Sequence, residues 1–126
     1  MHRYRIKSDC RSMKYVNALP KILLVLFFIT AVAVHVIGLI KPFSPETPLS
    51  HIVHVVSYSL CLLTILKRIN FGIIVYAIGS IYPYFIHAQC TYIQYTELNK
   101  LNAICIYTVI MLTAGFIFLW NEKRAA

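Results

Sequence analysis

The sequence predicts an all-α fold: a polytopic integral membrane protein built as a bundle of four transmembrane helices, N-in/C-in. Three observations predict it. Hydrophobic residues make up 60% of the 126-residue chain and charged residues 13%, whereas soluble domains run about 45–50% apolar and about 25% charged. The apolar residues fall into four long runs. The 12 Lys and Arg, set against 4 Asp and Glu for a formal net charge of +8, gather between those runs on one side. Such a composition excludes a disordered chain, a collagen or coiled-coil fibre and a water-soluble enzyme domain.

A spanning helix takes about 20 mostly apolar residues, because the hydrocarbon core is about 30 Å thick. The runs that qualify are 22–40, 49–66, 69–88 and 101–120. Each must pair its backbone amides within its own segment in lipid, so each reads as a helix rather than a strand. The first run follows a basic tail, 1–21. Ala31-Val32-Ala33 imitates a signal-peptide cleavage site. Hydrophobicity continues through Ile40, which favours a retained span. The second and third runs are joined by Lys67, Arg68 and little more, the pattern of an antiparallel hairpin. The fourth ends at Trp120 before Asn121-Glu122-Lys123-Arg124. The chain carries no repeat or linker and reads as one domain, 1–126.

Orientation follows from the charges. With four spans, every Lys and Arg except Lys41 and Lys100 falls on the face that holds both termini. Positive charge collects on the cytoplasmic side. Both termini are therefore expected in the cytoplasm, in a plasma or inner membrane. The basic tail fits topology and anionic lipid, with no nucleic-acid recognition fold beside it. The expected partners are the lipid bilayer and either further copies of the chain or other membrane subunits.

The sparse polar residues are unevenly placed. His35 lies five residues before the outer end of the first run. His51 and His54 open the second, and His87 closes the third. Four of the five histidines thus share one layer near the outer boundary. His51 and His54 are spaced i, i+3, on one helix face. Imidazole is a common ligand for transition metals and haem iron. His51 and His87, nearest the interface, read more simply as markers of where helices leave the lipid. His35 and His54 are deeper, and an ionisable residue at depth is a functional hypothesis by default. No complete metal motif such as His-Glu-x-x-His or Cys-x-x-Cys is present.

Further features stand out. Pro83 in the third run removes an amide donor and crowds the carbonyl of Gly79, so a helix kink at Gly79–Pro83 is expected, with Ser80 near enough to satisfy the exposed carbonyl. Cys90 and Cys105 are the one plausible disulfide pair if the outer side is oxidising. Tyr58 lies one turn from His54 on the same face. The segment Lys41-Pro42-Phe43-Ser44-Pro45, with His54-Val55-Val56-Ser57-Tyr58 after it, resembles the small four-span VanZ-like membrane proteins. The acidic residue expected just before that histidine is absent, and Tyr82-Pro83-Tyr84 stands where an acidic-glutamine pair is expected. No function is carried over from the resemblance.

No span contains an aspartate or an arginine, and the chain has no nucleophile elbow or phosphate loop. The reading favoured by the sequence is an accessory or complex-subunit protein without catalysis, acting through helix packing and its outer-face loops. The alternative is a redox-linked protein that binds haem or a transition metal through two or more of His35, His54, His51 and His87. A small transporter opening around the Gly79–Pro83 segment is a weaker third, since no inverted repeat is present.

Overall fold

The computed structural model describes the backbone of residues 2–41, 47–93 and 100–125, and the side chains of 18–41, 47–89 and 103–124. All regular structure among these residues is helical. The helices are α1 (His2–Ile40), α2 (Pro48–Leu66), α3 (Gly72–Ile93) and α4 (Lys100–Ala125). Each packs against its neighbour in the chain, and a lighter contact brings α4 back to α1. Three segments are long and apolar enough to cross a membrane: Ala18–Ile40, Pro48–Leu66 and Ala103–Arg124. Helix α3 is diluted by Tyr76, Ser80, Tyr82, Tyr84, His87 and Gln89.

The helix boundaries have local causes. Thr47 caps α2: its backbone is extended and its hydroxyl accepts the Ser50 amide at 3.3 Å. Pro48 follows at the first helical position, where a missing amide costs nothing. Helix α2 stops at Lys67, which turns extended while its amide still reaches the Leu63 carbonyl. The chain reverses through 67–71, so α3 begins at Gly72 rather than at the expected Ile69. The basic segment 1–21, expected as a tail, is helical from His2 and continuous with the first run. Helix α4 carries Lys123 and Arg124 in its last turn, where cations oppose the negative end of the helix dipole.

Helix α3 runs unbroken through Pro83, which is fully buried. Gly79 serves close approach: a Cβ there would lie 3.3 Å from Cys61 Sγ, Leu60 Cβ and the Ser57 carbonyl of α2. Ser80 does not bond the Gly79 carbonyl as expected. Its hydroxyl donates to the Ala77 carbonyl at 3.0 Å, within reach of a serine bonding back along its own helix.

The interior is organised as one stripe per helix. Leu24, Phe28, His35 and Gly38 are buried on α1. On α2 the stripe is His51, His54, Tyr58, Cys61 and Ile65, and on α4 it is Cys105, Thr108, Leu112, Gly115 and Leu119. On α3 it is Tyr76, Gly79, Pro83 and His87. The spacing of three and four residues is the helix period. Large apolar residues such as Leu26, Ile37, Ile52, Ile81 and Ile110 point outward. Polar and small residues inside with aliphatic residues outside is the arrangement that lipid, not water, favours.

At mid-height the core is aromatic. Phe28 meets Tyr76 edge-on at 6.0 Å, and Phe27 meets Tyr58 and Tyr107 edge-on. The Tyr76 hydroxyl donates to the Leu112 carbonyl at 2.7 Å, fastening α3 to α4. Gly115 makes this possible, because a Cβ there would collide with the Tyr76 hydroxyl.

Candidate metal centre

Above the aromatic layer the stripes of α1, α2 and α3 end in histidines. His35, His51, His54 and His87 are all buried, with His54 at 0% exposure. The sequence favoured interfacial markers at His51 and His87. Both instead face between helices, because they occupy the same stripe positions as the core below them.

The rings are in mutual contact. His35 and His54 stack in parallel, with centroids 4.2 Å apart and planes 2° from coplanar. His87 meets His54 edge-on at 5.4 Å. One ring nitrogen from each of His35, His54 and His87 lies within 4.8 Å of the other two. His51 stands behind His35, with the two Nδ1 atoms 3.0 Å apart.

Hydrogen bonds fix which nitrogen carries the lone pair. His54 Nδ1–H donates to the Ser50 carbonyl at 2.8 Å, and His87 Nδ1–H donates to the Pro83 carbonyl at 2.7 Å. A carbonyl only accepts, so the proton sits on Nδ1 and the neutral ring presents its lone pair at Nε2. Metal-binding histidines are commonly held this way, with the second nitrogen donating to a carbonyl. The His35–His51 bond needs one donor and one acceptor. With His35 as donor, His51 becomes its orienting base and His35 also offers Nε2.

The surroundings hold the rings in place. Tyr82 covers the His54 ring edge-on at 5.1 Å and donates its hydroxyl to Ser50 Oγ at 3.1 Å. Tyr58 stacks beneath His35 and His54, with centroids 5.6 and 5.8 Å away. Gly38 makes room for His51: a Cβ at that position would lie 2.6 Å from its Cε1. Gly38 and Ser50 were not singled out for this role from the sequence. A glycine one turn after His35 was the available signal for Gly38. Of the other expected site residues, Cys105 is buried on α4. The Cys90 side chain lies outside the described residues.

Tetrahedral imidazole ligands about 2.0–2.1 Å from zinc stand roughly 3.3–3.4 Å from one another. Separations up to 4.8 Å therefore require the rings to draw in on an ion. The rings touch one another, so a porphyrin would have to part them.

No family model, curated protein or solved structure matches this chain.

Proposed function

We propose that this chain is a membrane-embedded four-helix protein that binds one first-row transition-metal ion near the outer end of its bundle. His35, His54 and His87 are the ligands, and His51 orients His35. The carrying observation is the convergence of three ring nitrogens, from three different helices, in a buried layer. An all-imidazole donor set suits borderline ions such as Zn, Cu, Ni and Fe(II), and disfavours Mg and Ca. The packed rings favour a bare ion over haem. In this reading α3 is the fourth span, with Tyr76 and His87 buried against the bundle and Ile74, Ile78 and Ile81 facing outward. Both termini then lie in the cytoplasm, as the placement of Lys and Arg supports.

Elemental analysis of protein purified in mild detergent tests the proposal. About one equivalent of metal per chain is expected, lost on His54→Ala. A metal-free protein that also fails to take up added Zn²⁺ or Co²⁺ would falsify it.

A second reading has its own support. The outward aliphatic surface of α1, α2 and α4 fits partner helices as well as lipid. As an accessory subunit, or in a homo-oligomer, the chain would act through that surface and its outer loops. Pull-down in mild detergent separates the two, since metal content is then unrelated to partner capture.

A further inference from the structure

The opposite end of the bundle carries a second built feature. A cavity of about 530 Å³ lies between the α2–α3 turn and the last turns of α4, within the roughly 300–1,000 Å³ of small-molecule sites. Arg68 and Asn70 of the turn and Glu122 and Lys123 of α4 form its polar rim. Phe71, Leu119 and Trp120 form an apolar wall.

The turn is held in an unusual conformation. Phe71 has φ of 64°, the left-handed region that a bulky residue rarely adopts. Its carbonyl accepts the Ile74 and Val75 amides, which start α3, and its ring stays 77% exposed beside the cavity. Strain held in place by local bonding is a reason to look for function there.

Three properties identify the occupant. Arg68 and Lys123 reach one cavity from separate elements, and Glu122 offsets only one of them, so the rim is net positive and takes an anion. The cavity lies at the level where the apolar segments close, at Leu66 and Arg124, which is headgroup depth in a bilayer. Its lining joins a charged rim to a larger apolar wall, which suits an amphiphile rather than a free ion. We propose that this cavity binds the phosphodiester headgroup of an anionic phospholipid. Arg68 supplies a forked donor for the phosphate oxygens and Lys123 a point charge. Leu119 and Trp120 take the glycerol and the first acyl carbons. The proposal rests on the membrane reading and is independent of the metal centre.

Trp120 is the only tryptophan in the chain and reports on its own cavity. Purified protein in neutral detergent is titrated with dioctanoyl phosphatidylglycerol, dioctanoyl phosphatidylcholine and inorganic phosphate, and Trp120 emission is read. Phosphatidylglycerol is expected to give a saturable shift at least about tenfold tighter than phosphatidylcholine, with no response to inorganic phosphate. Arg68→Gln should weaken phosphatidylglycerol about fivefold, and Arg68→Gln with Lys123→Gln should remove the preference. Equal response to both lipids, a preference that survives the double variant, or displacement by inorganic phosphate each overturns the proposal. If the Gln variants lose helical circular dichroism, Arg68→Lys with Lys123→Arg is read instead. It keeps both charges and should keep the preference, and its loss of preference also overturns the site. A chain that stays monodisperse in water without detergent would fail the membrane reading itself, whatever the lipid result.

Discussion

The two ends of the bundle solve different problems with similar helices. At one end, imidazoles from α1, α2 and α3 are buried in mutual contact, His54 and His87 held by backbone carbonyls and His35 by the His51 ring. At the other, Arg68, Lys123 and Trp120 line a cavity open to the surroundings. The buried end can select a ligand by donor geometry. The open end can select only by charge and amphiphilic shape. The difference teaches where each kind of polar group is tolerated. A neutral imidazole can enter a bundle interior if its second nitrogen is bonded, whereas permanent cations stay where headgroups and water reach them.

The sharpest break is His54→Ala. It should lower Co²⁺ or Zn²⁺ affinity at least about 100-fold by removing a ligand, measured by calorimetry or Co²⁺ absorption. Phosphatidylglycerol binding read at Trp120 should stay within about twofold, since additivity holds for distant sites. A fall at both ends would join what the structure separates.

Gly38→Ala tests the support behind the ligands. The added methyl would displace the His51 ring and loosen its bond to His35, so metal affinity should fall about tenfold, with His54 and His87 untouched. Unchanged affinity would show that His51 has no orienting part. The smallest expected effect is Tyr76→Phe. It leaves the Leu112 carbonyl without that donor and should cost about 1 kcal/mol in detergent unfolding, with both ligand affinities intact.

Much of the fold was legible in the sequence, because long apolar runs without alternation specify helices and roughly fix their lengths. The hairpin at Lys67–Arg68 was legible for the same reason. The facing of each helix was harder to read. In water, apolar periodicity marks the buried side. Here Leu26, Ile52 and Ile110 outside are as apolar as Leu24, Ile65 and Leu112 inside. The signal lay in the small and polar residues: His51, His54, Ser57, Cys61 and Thr64 recur at helical spacing along α2. Read that way, the layer of histidines was visible, but not that His51 and His87 turn inward. That depends on Gly38 and on the Pro83 carbonyl, which belong to other helices or to backbone geometry.

The contact between Tyr76 and Gly115 has a mechanical consequence. One phenolic oxygen sits where a side chain of α4 would be, and it is bonded to the carbonyl three residues before that gap. Such a fit indexes α4 against α3 as a detent pin indexes a wheel: sliding or turning α4 by one residue brings a Cβ onto the oxygen. Cys105 and Thr108 at one end and Leu119 and Trp120 at the other are therefore aimed by a single position between them. Filling that position re-aims both ends of α4 together, so Gly115→Ala is a change whose effects should be sought at each end of the molecule, not at its centre.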